Sequence, residues 1–145
     1  MPRTRRMIPI DSAIHIMCRG NNRQKVFTGD VDKLYYWRLL KNLKEGNQVE
    51  LLHYCIMDNH VHLIVWVRSQ SKLSKFMKQV NLSYFGYYKK RYGYWGHIWQ
   101  GRYKSNVIDG DAYLLHCGKY IELNPVRAGI VKSQDEYVFS SYRHY

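Results

Sequence analysis

The order of the segments predicts an α+β fold, in which an antiparallel sheet carries helices on one face in the ferredoxin-like split βαβ arrangement. Short runs of β-branched and aromatic residues, typical of strands, alternate with longer runs whose apolar residues recur every three or four positions, typical of helices. The resulting order is β-α-β-β-α-β-α. A chain of 145 residues with 46% hydrophobic content suits a single domain, 1–145. Because the sequence ends abruptly at Tyr145, we expect that a C-terminal extension is missing from it.

The first strand and the first helix come before the middle of the chain. Residues 12–18 have the mixed apolar pattern of a strand, and the polar residues 19–24 predict a turn-forming loop. From 30 to 45 the apolar residues fall at helical spacing, with Asp30 as the N-cap and a Gly-Asn pair as the stop.

A hairpin follows this helix. Residues 49–57 and 60–67 are both rich in residue types that favour strands. Asp58 and Asn59 between them tolerate the left-handed conformations of a tight turn. The two strands are therefore expected to be antiparallel neighbours.

The second half predicts a long helix, a strand and a final helix. Residues 71–91 carry an apolar stripe with steps of three and four residues, and the lysines fall largely off it. Several glycines separate this helix from a strand over 103–108. The last helix is expected to begin at Asp109 or Asp111 and must end before Pro125.

The charge of the chain favours a polyanionic partner. The formal net charge is +12 and the isoelectric point is near 9.7. Tyrosines alternate with lysine and arginine over 84–92, a pattern that suits base stacking combined with phosphate neutralisation. We expect a nucleic acid, although many small basic proteins bind none.

The cysteines and the hydropathy predict a cytoplasmic protein. Cys18, Cys55 and Cys117 are far apart and odd in number, which argues against a disulfide framework. No apolar run approaches the roughly 18 residues of a membrane span, and no apolar segment follows the basic start. We expect neither export nor membrane insertion.

His60 and His62 are two positions apart on a predicted strand, so both rings project from the same face and can share one divalent ion. Val61 faces the other way, into the core. The histidine face must therefore be covered or functional. Two ordinary strand histidines bonded to their neighbours remain the alternative.

A structural zinc site is a weaker alternative. With a two-residue turn, Cys55 is expected opposite His62, and His53 opposite Ile64. A zinc cage needs four ligands, however, and no second cluster of cysteine and histidine has suitable spacing.

The last predicted helix carries three polar residues at intervals of four, His116, Tyr120 and Asn124, which therefore share one side of the helix. A tyrosine there can act as a nucleophile, although a phenol with a pKa near 10 needs a polarised target or a nearby base. From the residues alone, packing is the ordinary role of any one tyrosine.

Four blocks of sequence carry a resemblance to a known family: RGNNRQKVF at 19–27, MDNHVHLIV at 57–65, HIWQGRY at 97–103 and KYIELNPVRAGIV at 119–131. In their order and spacing the chain resembles the single-tyrosine HUH transposases, within them the IS200-like and REP-associated tyrosine transposases. The blocks cover nearly the whole chain. Asp58 departs from the family, in which many members have proline.

The resemblance implies a metal-dependent strand transferase. His60 and His62 would be the metal pair for Mg²⁺ or Mn²⁺, with Asn124 as the third ligand. Tyr120 would be the catalytic nucleophile, which attacks single-stranded DNA, forms a 5′-phosphotyrosine link and frees a 3′-OH. The expected DNA is a hairpin beside a short single-stranded sequence, bound by a monomer or a homodimer.

Basic and amide side chains in four regions are the candidates for contacting this DNA by phosphate binding and stacking. They are Arg3, Arg5, Arg6, Arg19, Asn21, Asn22, Arg23, Lys72, Lys75, Lys89, Lys90, Arg91 and Arg102. Each is alternatively a solvated surface residue. For the whole protein, the alternatives are a catalytically silent hairpin-binding protein derived from a transposase and, less favoured, an RNA-binding or replication-initiator relative.

Overall fold

The computed structural model describes residue 9 and residues 11–144, and it contains every strand and helix that the sequence predicts. The strands are β1 (Ser12–Arg19), β2 (Val49–Ile56), β3 (His60–Val67) and β4 (Lys104–Ile108). The helices are α1 (Asp30–Lys44), α2 (Gln70–Tyr92), α3 (Asp111–Glu122) and the short α4 (Asn124–Arg127). None of the helices in this part of the chain is long and apolar enough to span a membrane.

The strands form one sheet in the order β2-β3-β1-β4, and each neighbouring pair is antiparallel. β1 and β2 both run opposite to β3, so they are parallel to each other with β3 between them. The connection from β1 to β2 contains α1, which gives the split βαβ arrangement of the ferredoxin-like fold. The predicted fold class is confirmed.

The two faces of the sheet are covered by different helices. Because side chains alternate along a strand, Leu63 and Val65 join the large core under α1 and α2. Ala13 and Ile64 instead pack with Ile121 of α3 on the opposite face. The expectation that the helices pack on one face therefore holds for α1 and α2 and is wrong for α3. β3 is apolar on both faces, so its second face also needs a cover.

A buried carboxylate joins the start of α1 to the end of α2. α1 begins at Asp30, and its N-cap is Gly29, so the prediction of Asp30 as the N-cap is wrong. Asp32, which is 1% exposed, accepts hydrogen bonds from the backbone and hydroxyl of Thr28 at 3.0 and 2.9 Å. Tyr87 and Tyr92 of α2 also donate to it, at 2.6 and 2.5 Å. The two long helices are thereby fixed to each other.

The hairpin between β2 and β3 turns at residues 58–59 with the predicted register. Cys55 lies opposite His62, and His53 lies opposite Ile64. The register shifts between Leu51 and His53 on β2, so the predicted pairing holds only in the half of the hairpin near the turn. The positions of the histidines are therefore set by the turn.

Asp58 anchors this turn to the rest of the molecule. Its carbonyl oxygen accepts hydrogen bonds from the backbone of Val26 and of Phe27, both at 2.9 Å. Its carboxylate lies 2.8 Å from the ammonium of Lys33, which is largely buried in α1. Asp58 thus holds the turn by an ion pair that a proline at this position could not make.

Candidate active site

His60 and His62 stand on the sheet face that α3 covers. The centres of their rings are 5.1 Å apart, and the ring planes are nearly perpendicular, at 89°. His62 is 7% exposed, whereas His60, at the start of β3, is partly exposed. The alternation of β3 thus brings both rings to one small region.

The tautomer of His60 follows from its neighbour. The Nδ1 of His60 is 2.6 Å from the Oδ1 of Asn59. An amide oxygen only accepts, so this nitrogen carries the hydrogen and donates it. The lone pair is then on Nε2, and the side-chain amide of Asn124 lies 3.4 Å from that atom. The predicted third ligand therefore sits beside the nitrogen that can bind an ion.

His62 is oriented by a histidine that sequence reasoning missed. The Nδ1 of His62 and the Nε2 of His15 are 3.0 Å apart, and the rings are stacked. When His62 donates from Nδ1, its Nε2 is left as the ligand atom. The alternation of Ile14 and Ile16 could have placed His15 on the histidine face. That His15 meets His62 could not be predicted without knowing that β1 pairs with β3.

The surroundings keep these imidazoles neutral. Burial, followed by the nearby His60, His15, Arg127 and Arg19, lowers the pKa of His62 to about 3. Burial and then Arg19 also lower the pKa of His60, and burial lowers that of His15. The neutral imidazole is the form that binds metals.

Tyr120 is presented on the outer side of α3, with 50% of its surface exposed. The guanidinium carbon of Arg127, in α4, lies 3.8 Å from the centre of the Tyr120 ring. The same guanidinium contributes to the field at His62. Arg127 was not singled out from the sequence, because its position depends on the tight turn between α3 and α4. Arg127 therefore contacts the tyrosine ring and adds positive charge near His62.

The C-terminal end of α3 is fixed by a buried carboxylate. Glu122, which is 3% exposed, lies 3.1 Å from the Nδ1 of His53 on β2 and accepts a hydrogen bond from the hydroxyl of Ser141. The Ser141 oxygen also accepts a hydrogen bond from the backbone of Tyr54 at 2.9 Å. These contacts hold the end of α3 against β2, close to the start of α4 at Asn124.

The zinc alternative finds no support. His53 is bonded to Glu122, as described above. Within residues 9 and 11–144, no group of three or more histidine, cysteine or acidic side chains could hold a metal ion. The imidazole pair and the Asn124 amide do lie close together.

The candidate DNA contacts among the described residues lie in more than one place, although Asn21 and Arg102 line one common pocket. Arg3, Arg5 and Arg6 lie outside the described residues. Arg19 is opposite His60 at the end of β1, and it is followed by the short loop helix Asn21–Arg23, where Asn22 and Arg23 are exposed.

The other candidates lie on or near α2. Lys75, Lys90, Arg91 and Arg102 are exposed, and Lys72 and Lys89 are partly exposed. The ammonium of Lys89 lies over the ring of Trp95, 4.3 Å from its centre. Arg91 lies 3.5 Å from the Asp32 carboxylate, which gives it a structural contact as well.

An antiparallel ferredoxin-like sheet with a histidine pair on one strand, beside a helix that presents a tyrosine, defines the class of the tyrosine transposases. The family described as "Transposase IS200 like" matches residues 10–124, and the chain belongs to this family. It is thus an enzyme of the transposase kind. No curated protein matches the sequence at a significant level.

Two solved structures share the fold. A REP-associated tyrosine transposase bound to a REP hairpin matches with a TM-score of 0.75 and 21% identity, over 99% of this chain and 84% of the other. A protein from Deinococcus radiodurans R1, described as a transposase, matches with a TM-score of 0.56 and 19% identity, over 84% of this chain and 96% of the other. At these identities the likeness concerns the fold alone.

Proposed function

We propose that the protein is a metal-dependent enzyme that nicks and rejoins single-stranded DNA beside a hairpin, with Tyr120 as its nucleophile. The observation that carries the proposal is the set of imidazole and amide groups around His60, on the sheet face beside which α3 presents an exposed tyrosine. A strand transfer of this kind requires the whole set, whereas binding alone does not.

The donor atoms fit a divalent ion. His60 and His62 would offer neutral imidazole nitrogens: Asn59 sets the tautomer of His60, and His15 leaves Nε2 of His62 as the ligand atom when it accepts from Nδ1. Asn124 would offer its carboxamide oxygen after rotation of an amide that now points its nitrogen at His60. A bound Mg²⁺ or Mn²⁺ would supply charge that polarises a phosphodiester and stabilises the leaving oxygen.

Tyr120 would carry the covalent step. Its phenol oxygen bonds to phosphorus while the bond from phosphorus to the 3′ oxygen breaks. The phenol proton ends on that oxygen, which gives a 5′-phosphotyrosine and a free 3′-OH. The bond energy is conserved, so the reverse reaction can join a new end. Arg127, stacked on the ring, would stabilise the phenolate and attract the phosphate.

The proposed partner is DNA with a hairpin and an adjoining single strand. The net charge of +12 suits a polyanion. One structural neighbour was solved with a REP hairpin bound, and we extend that class of ligand to this chain. Arg19 and the loop that follows it would lie close to the DNA, because Arg19 is opposite His60.

The test is a covalent capture assay. A labelled single-stranded hairpin oligonucleotide is incubated with the protein and Mn²⁺ and run on a denaturing gel. Wild type is expected to form an adduct that Tyr120→Phe abolishes. The matched control is Tyr113→Phe, because Tyr113 is on the same helix and is exposed to a similar degree, 53%. An adduct that survives in Tyr120→Phe would refute the assigned nucleophile. Binding without cleavage would support the silent hairpin-binding protein.

A further inference from the structure

A pocket of about 840 Å³ lies between α2 and the segment 97–103, at the side of the molecule formed by α1 and α2. This volume falls within the roughly 300–1,000 Å³ that small-molecule sites occupy. Lys78 and Phe85 line it from α2, and Trp99, Arg102 and Tyr103 line it from the opposite segment. The proposed chemistry at Tyr120 uses none of these residues.

The pocket combines aromatic faces with cations. Phe85, Trp99 and Tyr103 are partly exposed, so each ring presents some surface to the pocket while the rest of it is packed. Trp99 is held from behind by the rings of Phe27 and Tyr84, each about 6.2 Å from it between centres. A rigid aromatic wall of this kind is a stacking platform for a flat ligand.

Charge at the rim selects the ligand class. The side chains of Lys78 and Arg102 are exposed at the pocket, and none of the described residues that line it carries a carboxylate. Asn21, from the loop after β1, adds an amide that can both donate and accept hydrogen bonds. A planar group with polar edges and attached phosphate matches all three features.

We propose that this pocket binds an unpaired nucleobase of single-stranded DNA, stacked on the aromatic wall, with the adjoining phosphates on Lys78 and Arg102. The proposal rests on the proposed function for the presence of DNA and deepens it by assigning a place to the single strand. A base inside a duplex is stacked and paired and cannot enter a concave site, whereas an unpaired base can.

The pocket is tied to the histidine pair through the end of β1. The backbone of Gln100 donates to the carbonyl of Arg19 at 2.7 Å, and Gly20 forms a β-bridge with Trp99. Arg19 is in turn the cross-strand partner of His60. A base held in the pocket is thereby held at a fixed place relative to His60, although on the other side of the strand end.

The test uses two single strands of equal charge. Fluorescein-labelled dT20 and an abasic strand of the same length are titrated with the full chain in EDTA, so that nicking does not interfere. Wild type is expected to bind dT20 roughly fivefold or more tightly than the abasic strand. In Phe85→Ala this preference should fall, whereas in Trp95→Ala, at an exposed ring outside the pocket, it should persist.

A lysine pair provides the matched control for the phosphates. Lys78→Ala should weaken binding of both strands about equally. The slope of log affinity against log salt concentration should fall by the amount expected for about one lost phosphate contact. Lys41→Ala, at an exposed lysine on α1 that lies outside the pocket and is not a candidate DNA contact, should leave both unchanged. Equal effects of the two substitutions would overturn the assignment of Lys78.

Photocrosslinking keeps the test decisive if Phe85→Ala does not fold. An oligonucleotide with 5-iodouracil should crosslink to Phe85, Trp99 or Tyr103 in the wild-type protein. Equal affinity for dT20 and the abasic strand, or crosslinks only elsewhere, would overturn the pocket. Crosslinks in the pocket without any Tyr120 adduct would support the pocket and contradict the proposed chemistry. Absence of binding to any single strand would overturn the pocket, whereas a Tyr120 adduct on the hairpin oligonucleotide would still support the proposed function.

Discussion

At His62, a hydrogen bond that Nδ1 donates to His15 would leave Nε2 available to an ion. His15 lies 3.0 Å from the Nδ1 of His62. Because His62 is almost fully buried, no water can easily replace this partner. His15 is therefore a positioning residue that acts through His62.

Replacing His15 is expected to weaken ion binding. In His15→Phe the Nδ1 of His62 loses its partner, so the ring is free to change tautomer, and Mn²⁺ affinity should fall about 10- to 100-fold. Titration calorimetry with Mn²⁺ on the free protein measures this directly. His15→Gln should recover part of the affinity, because its amide can again accept from His62. His97→Phe, at an exposed histidine, is the control. Unchanged affinity in His15→Phe would contradict the role.

The residues of the candidate site differ in how far the sequence predicts them. Strand alternation alone predicts only that His60 and His62 share one face, whereas the resemblance supplies their role as a metal pair and the role of Tyr120. His15 and Arg127 follow from neither, because each reaches the site through a pairing or a turn that leaves no mark in local sequence. The roles of His60, His62, Asn124 and Tyr120 stay predictions.

At the scale of the element, α3 depends on a close approach to β2. A Cβ added at Gly118 would lie 2.7 Å from the Cε1 and 2.8 Å from the Nε2 of His53, and Glu122 holds that ring in place. Gly118→Ala should therefore lower the free energy of unfolding by about 1–3 kcal/mol. Urea unfolding measures the change.

The matched control is Gly86→Ala in α2, where a Cβ meets nothing within 4 Å. There the free energy of unfolding should rise by about 0.5–1 kcal/mol, because alanine restricts the unfolded chain and favours the helix. If both substitutions stabilise the protein, α3 is not held as closely on β2 as His53 implies.

The contact between α1 and α2 has a pH dependence of its own. Burial acts to raise the pKa of Asp32, but hydrogen bonds from Tyr87, Tyr92 and Thr28 outweigh burial and lower it. A lowered folded-state pKa stabilises the protein above the ordinary carboxyl pKa of about 4, and this contribution is lost as the pH falls through the lowered value.

Asp32→Asn is therefore expected to cost about 1–3 kcal/mol at pH 7 and progressively less below about pH 4. Urea unfolding of wild type and variant across this pH range gives the difference. Asp30→Asn, at an exposed residue in the same turn, should show a smaller and flatter difference. A cost for Asp32→Asn that stays constant down to pH 2 would show that the carboxylate charge is not what stabilises the contact.

The elements themselves were largely predictable, since local periodicity and turn residues determine them. The hairpin register is the clearest case, because the Asp58-Asn59 turn fixes which residues face each other. The face on which α3 packs was not predictable. Its docking residue Ile121 has helical spacing, but nothing local says which side of the sheet it meets.

At the scale of the whole molecule, the sheet separates a large core from a small one. α1 and α2 share the large core with three strands. On the other face, the buried side chains described in the small cluster are Ala13, Ile64, Ile108 and Ile121. On α3 itself Tyr113, Leu115 and Tyr120 remain exposed. The helix that presents the proposed nucleophile is therefore held by less buried apolar surface than α2.

This difference predicts how the molecule opens. Regions with few buried apolar contacts open locally at lower free energy than the core. Backbone amides in α3 should therefore exchange with deuterium faster than those in the middle of α2, in a pulse experiment read by mass spectrometry. Saturating Mn²⁺ should slow exchange around Asn124 if that residue joins the ion, whereas Asn124→Ala should remove this effect. Equal protection of α3 and α2 without metal would mean that the Glu122 contacts alone hold α3 as firmly as the large core holds α2. Tyr120 would then have to meet DNA on a rigid helix rather than on one that can adjust to the strand.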